Sequence, residues 1–264
     1  MSYETIIYKQ EEGVAELTIN RPDKMNAISF QTVRDCMDAL KKFSDDEKAK
    51  VLIFTGAGEK AFSAGDDVRD KEWLEGAFNW TPDQMFTGMH EQHFWNIVKT
   101  LRKIRKPTIA SVSGWCLASA LEVVMACDIV IASETAKFGM PFVNIGLVTG
   151  TSLLPRVIGY HKACEMLFTG EPIDAKEAKS MGLVNKVVPP EQLKASVNEM
   201  AQKLARQATP LVGWMKWGLN KAMDSSFADA LDYEILAMAL THPSKFIPRL
   251  VERKEGMVYS KKKD

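Results

Sequence analysis

The sequence predicts an α/β protein with a largely parallel sheet buried between layers, closed by a helical C-terminal region. Three observations carry this. Uninterrupted apolar runs such as Val51-Leu52-Ile53-Phe54 suit strands buried on both faces. Strand, helix and strand then alternate along the chain, which implies right-handed crossovers. From about Thr151 the character changes, and nearly everything carries helical spacing apart from a short strand at residues 183–188.

The elements follow in order. Thr5-Ile6-Ile7-Tyr8 and residues 14–19 form a hairpin around Glu12-Gly13, the second strand alternating apolar and polar before Asn20-Arg21-Pro22. Ser29 caps a helix from Phe30 to about Phe43, with Val33, Met37 and Leu40 at helical spacing. The buried strand at residues 51–54 is followed by a polar passage to about Thr81. Residues 82–102 read as one helix with Met85, Met89, Phe94, Ile97 and Leu101 on one side. A strand at residues 107–113, a helix at 117–126 and a strand at 128–132 complete the alternation. No low-complexity segment and no repeat at solenoid periods is visible.

Composition narrows the function classes. Apolar residues make up 46% of the 264 and charged residues 26%, enough to build a core and too apolar for a disordered chain. Lys and Arg number 34, as do Asp and Glu, so no global field draws the protein to nucleic acid or an anionic membrane. An anionic ligand must be held locally. Cys36, Cys116, Cys127 and Cys164 are widely spaced with no C-x-x-C pair, which fits free thiols in a reducing compartment, and no signal-like or membrane-spanning run is present, so a cytoplasmic location is expected.

Two segments carry candidate chemistry. Ala61-Phe62-Ser63-Ala64-Gly65-Asp66-Asp67 follows a buried strand, and its small residues let backbone N–H groups approach a ligand oxygen, although a tight structural turn reads the same way. Gly56-Ala57-Gly58 satisfies neither the dinucleotide fingerprint nor the P-loop. The second segment, Gly114-Trp115-Cys116-Leu117-Ala118-Ser119-Ala120-Leu121-Glu122, leads from a strand into a helix whose first N–H groups are donors to charge developing on oxygen. Glu122 and Asp128 are the only charged residues between Trp115 and Ala132. A carboxylate inside so apolar a helix must be solvated, held by a neighbouring amide, or functional. His90 and His93 are three apart but lack a third metal ligand, and His161 and His242 have no nucleophile-like context, so no metal is expected. Trp73, Trp80 and Trp95 read as helix-layer packing or as walls of a bulky pocket.

Taken together, Asn20-Arg21-Pro22-Asp23-Lys24-Met25-Asn26-Ala27, the 61–67 segment, Ser113-Gly114 through Glu122 to Ala126-Cys127-Asp128, Leu167-Phe168-Thr169-Gly170 and residues 178–184 resemble the enoyl-CoA hydratase/isomerase (crotonase) family in order and spacing. The resemblance spans about residues 5–205. It implies a spiral of ββα units over residues 1–205, an acyl-CoA-binding core, and a helical region at 206–264 that packs on neighbouring subunits in a homotrimer or hexamer. It implies an acyl-CoA thioester as substrate, with coenzyme A as part of that substrate and no separate cofactor, and no nucleic-acid or membrane partner. By position, the N–H groups of Asp66 and Ser119 form an oxyanion hole, Glu122 matches the first of two catalytic glutamates, and Lys24, Asn26, Ala27 and Ala64 match the segment that holds coenzyme A by main-chain bonds and apolar contact.

One departure bears on the reaction. In Phe138-Gly139-Met140-Pro141-Phe142 the family's hydratases carry their second glutamate after the proline, and here that residue is Phe142. An isomerisation with Glu122 as single base, a second carboxylate supplied by Asp66, and decarboxylation or C–C cleavage through the same enolate all stay open. From another class, so does a non-catalytic acyl-CoA-binding or RNA-associated scaffold, against which Glu122 and the neutral charge both argue.

Overall fold

The computed structural model describes residues 3–207 and 209–241, and the side chains of residues 73, 76–78, 85, 89–92 and 209 lie outside that description. The expectations for Trp73, Met85, Met89 and His90, for His242 and for the C-terminal tail therefore fall outside the described residues. Strands β1 (Ile6–Glu11) and β2 (Val14–Ile19) pair antiparallel through Glu12 and Gly13, both at positive φ as a two-residue hairpin requires. Helix α1 (Phe30–Asp45) begins where expected: Ser29 Oγ accepts from the Thr32 N–H at 3.1 Å, and Val33, Cys36, Leu40 and Phe43 are buried.

Strand β3 (Val51–Gly56) is followed by two elements that the polar passage concealed, β4 (Ala61–Ser63) and α2 (Lys71–Asn79). A three-residue strand is too short to show a period. The single helix expected at 82–102 is two, α3 (Pro82–Gln92) and α4 (Trp95–Lys103), because His93 is extended. The step from Met89 to Phe94 is five residues, longer than a helical turn, and that is where the helix breaks. Next come β5 (Thr108–Val112), β6 (Trp115–Leu117) and α5 (Ser119–Ala126), so the expected helix at 117 starts two residues later, after a strand. Strands β7 (Ile129–Ser133) and β8 (Lys137–Gly139) lead through a 3-10 turn at Pro141–Ile145 to α6 (Leu154–Ile158) and α7 (Tyr160–Thr169). The chain continues through β9 (Ile173–Asp174), α8 (Ala175–Ser180), β10 (Lys186–Val188), α9 (Leu193–Ala205), α10 (Thr209–Asp224) and α11 (Phe227–Thr241). The strand expected at 183–188 is confined to its last three residues.

Six strands form one sheet in the order β1-β2-β3-β5-β7-β10, parallel except for the hairpin, and β4-β6-β8-β9 form a second. Each successive pair, β3–β4, β5–β6 and β7–β8, sends its first strand to the large sheet and its second to the small one before the chain turns into helix. This is a ββα spiral. The apolar run in β3 serves both faces of the large sheet: Val51 and Ile53 pack with Val197 and Ala201 of α9, while Leu52 and Phe54 join the core on the α1 and α5 side.

Candidate active site

Both chemical segments converge because β4 and β6 are neighbours in the small sheet. Asp66 forms an isolated parallel bridge with Ile28, in which the Ile28 N–H donates to Gly65 O at 2.8 Å and the Asp67 N–H to Ile28 O at 2.9 Å. The bridge uses the groups flanking Asp66 and leaves the Asp66 N–H unspent. Ser119 is the first residue of α5, where no carbonyl one turn back is available. Among the described residues neither N–H donates to another group. The two loops touch: a Cβ placed on Gly65 would lie 2.8 Å from Ala118 Cβ and 3.5 Å from Ser119 Oγ. Ala118 itself is held at φ 54, ψ −126, a region that suits glycine, so the fold sustains local strain where the helix opens.

Glu122 is 1% exposed. Its Oε1 accepts from Thr149 Oγ1 and from the Gly150 N–H, each at 3.1 Å, and Oε2 receives no hydrogen bond from the described residues. The neighbouring-amide reading accounts for one oxygen, which is anchored, and leaves the other available. Burial raises the carboxyl above its usual range, with Thr149 and Gly150 opposing. Phe142 adds to that apolar setting, since its ring lies 3.7 Å and Met140 Sδ 3.3 Å from where a Cβ on Gly150 would stand. Thr149 and Gly150 carried no signal as functional residues in the sequence beyond Glu122's need for a partner.

Asp66 is the second carboxyl. Burial pushes it up to about 7, the nearby Ser119 hydroxyl opposing and the charge of Glu122 adding. Ser119 Oγ is buried and completes no hydrogen bond. His93, passed over as an unsupported metal ligand, stands with Nε2 3.4 Å from Asp66 Oδ1. A carboxyl that binds its proton more tightly folded than unfolded lowers stability as pH rises from about 4 to about 7, and the full penalty remains above that range. Asp66→Asn removes the penalty, so thermal melting should show a higher Tm than wild type at pH 8 and little difference at pH 4. An equal effect at both pH values would show that the carboxyl is not raised.

The loop proposed for coenzyme A lies beside this centre. The Ala64 N–H donates to Met25 O at 3.0 Å, and Arg21 Nη2 pairs with Asp67 Oδ2 at 2.7 Å, so residues 21–28 and 61–67 form one rim carrying Lys24, Ala27 and Ala64. Lys24 is exposed. The Asn26 side chain is buried and spent on the fold: Oδ1 accepts from the Arg21 N–H at 3.0 Å, and Nδ2 donates to Ala57 O and Ala61 O at 2.9 and 2.8 Å. The backbone N–H of Asn26 is also used, donating to Arg21 O at 2.8 Å. Trp80 packs edge-on to Phe30 and Trp95 against His93, so these two tryptophans back the residues that line the pocket at Asp66, while His161 is exposed on α7.

A family model described as Enoyl-CoA hydratase/isomerase matches residues 9–257. The chain is 35% identical to a crotonyl-CoA hydratase of Syntrophomonas wolfei, over 97% of this chain and 95% of that protein. It is also 35% identical to a short-chain-enoyl-CoA hydratase of Clostridium acetobutylicum, over 89% and 88%. Among solved structures, an enoyl-CoA hydratase subunit of Geobacillus kaustophilus superposes with a TM-score of 0.83 at 32% identity, covering 97% of this chain and 94% of that one. An enoyl-CoA hydratase/isomerase of Cupriavidus metallidurans reaches 0.89 at 25% identity, covering 97% and 95%.

Proposed function

The chain belongs to the enoyl-CoA hydratase/isomerase family and is an enzyme of that type acting on an acyl-CoA thioester, and from this premise we propose that it hydrates an enoyl-CoA with Glu122 and Asp66 as its two proton-transfer groups. The observation that carries the reading is a buried carboxyl, Glu122, and a half-buried one, Asp66, whose proton affinity the charge of Glu122 raises, beside two unspent N–H groups. The thioester oxygen sits between the N–H groups of Asp66 and Ser119, which stabilise the negative charge that develops there. Water adds to C3 as Glu122 carboxylate accepts its proton, and the C2–C3 π pair moves onto the thioester oxygen as an enolate. The enolate then collapses, and C2 takes the proton of the protonated Asp66 carboxyl. Phe142 closes the side where a second glutamate is missing, and Asp66 supplies the acid from the opposite loop.

Coenzyme A enters as part of the substrate along the rim of Lys24, Asn26, Ala27 and Ala64, and the reaction requires no separate cofactor. Isothermal calorimetry should give crotonyl-CoA and acetyl-CoA at least about tenfold tighter binding than crotonate and acetate, because only the thioesters reach both rim and hole. Equal affinity for acids and thioesters would end the reading. Unpaired Cys36, Cys116, Cys127 and Cys164 suit the reducing cytoplasm, and no helix among the described residues is long and apolar enough to cross a membrane.

We also keep the division into a core at 1–205 and a helical region at 206–264 that joins subunits. Helix α10 is tied to the core by Arg105 stacked over Trp214 at 4.4 Å and by Lys216 paired with Asp128 at 2.9 Å. Beyond it, Phe227, Ile235 and Met238 on one side of α11 are each more than half exposed, apolar surface that association would cover. Light scattering should report a homotrimer or hexamer at micromolar concentration. A monomer would overturn it.

A further inference from the structure

We propose that His93 is the positioning residue for Asp66: its neutral imidazole donates from Nε2 to Asp66 Oδ1 and so turns the other carboxyl oxygen toward the reacting carbons. The inference rests on the reading of Asp66 as the acid. Four observations support it. His93 occupies the break between α3 and α4, where extended backbone directs its ring inward, and its side chain is 7% exposed. The rings of Phe30, Phe94 and Trp95, with centroids 6.0, 4.6 and 4.9 Å away, surround the imidazole and limit its rotation. Nδ1 is buried with no partner. With the proton on Nε2 the unmet group at Nδ1 is a lone pair, which costs less to bury than an unmet N–H, so the donor faces Asp66. Finally, a small pocket lined by Ser29, Phe30, Val33, Asp66, Asp67 and His93 places the imidazole and the carboxyl on one wall.

The present Nε2 to Oδ1 separation, 3.4 Å, is longer than a full hydrogen bond, and such contacts tighten when substrate fills the site. Burial holds His93 down to about 4, so the ring stays neutral across the working range and acts as a donor, with no charge of its own. Among the described residues the other groups facing the pair are few. Helix α5 contributes Ser119 and Glu122, the 61–67 loop contributes Asp67, which Arg21 neutralises, and α1 contributes Ser29 at its head with Phe30 and Val33.

The test uses the full-length enzyme, with His93→Phe to delete the donor, His93→Gln to keep an N–H near the Nε2 position, and Asp66→Asn as control. Carbon-13 NMR of the Asp66 carboxyl in ligand-free enzyme reads the pair directly, and the pH profile of crotonyl-CoA hydration reads its consequence. Removing a donor to the charged carboxylate raises the Asp66 titration, so His93→Phe should move it up by about one pH unit or more. The alkaline limb of kcat/KM, where the acid form is lost, should move the same way, with kcat down about tenfold and KM little changed. His93→Gln should return both titration and limb toward wild type. A merely structural histidine predicts lower Tm in both variants with the titration in place, and that result overturns the proposal. Should His93→Phe fail to fold, His93→Asn, whose amide stands at the Nδ1 position, takes its place with the same expected shift. Asp66→Asn with undiminished turnover would overturn the catalytic reading of Asp66 instead, while the carboxyl titration still reports whether the pair exists.

Discussion

Glu122→Gln should lower turnover of the best enoyl-CoA substrate by about 10²-fold or more, with thioester affinity within a few-fold of wild type. Gln keeps an oxygen at the Oε1 position for Thr149 Oγ1 and the Gly150 N–H, so the anchoring on both partners is retained. What it loses is the ability of the Oε2 position to accept and return a proton. Binding depends on the N–H pair and the coenzyme A rim, neither of which the substitution touches. The folded Glu122 carboxyl is raised by burial, so a neutral amide is better tolerated near neutral pH, and Tm should hold or rise. Stopped assays with crotonyl-CoA and calorimetry with acetyl-CoA separate rate from binding. A structural Glu122 predicts the reverse, with Tm, affinity and rate falling together. Near-normal turnover would remove Glu122 from the chemistry and leave Asp66 as the base to examine.

Much of the fold was legible because the central strands of the large sheet, β3 above all, are buried on both faces, and because Ser29 caps α1 with a side chain visible in the sequence. The ββα repeat came only from the family resemblance, since β3, β5 and β7 begin at Val51, Thr108 and Ile129 and the unequal spacing hides any period. Strand β4 went unseen for lack of length. Glu122 stood out by the energetic cost of a carboxyl among apolar residues, a signal local to the sequence, whereas Asp66 entered through the small-residue loop and the family resemblance. The partners of those carboxyls did not stand out. Thr149 and Gly150 reach Glu122 across 27 and 28 residues, and His93 reaches Asp66 across a helix break that only the five-residue apolar step foreshadowed. Asn26 carried a further role that its motif position did not show: its three side-chain hydrogen bonds hold the rim in shape.

Gly65→Ala should cost about 10²-fold in turnover by prying the oxyanion hole open, a loss comparable to removing one donor. Gly65 sits at φ +95, and an added Cβ would meet Ala118 Cβ at 2.8 Å and Leu117 O at 3.0 Å. Neither neighbour is the far end of a flexible side chain, so the backbone must give, and the N–H groups that must converge on one oxygen stand on these two loops. Displacement by a few tenths of an ångström weakens both donors at once. The strained φ adds a loss of stability of about 1 to 3 kcal/mol. Ala118→Gly in the same chain removes the nearer clashing atom and relieves the unusual φ of residue 118, so the double variant should recover part of the turnover that Gly65→Ala loses. Ala118→Gly alone should keep wild-type turnover. Measuring kcat, KM and Tm on all four proteins separates hole geometry from general damage, because a folding defect lowers Tm without the rescue. Gly65→Ala with wild-type kcat would show that the Asp66 N–H is not an oxyanion donor.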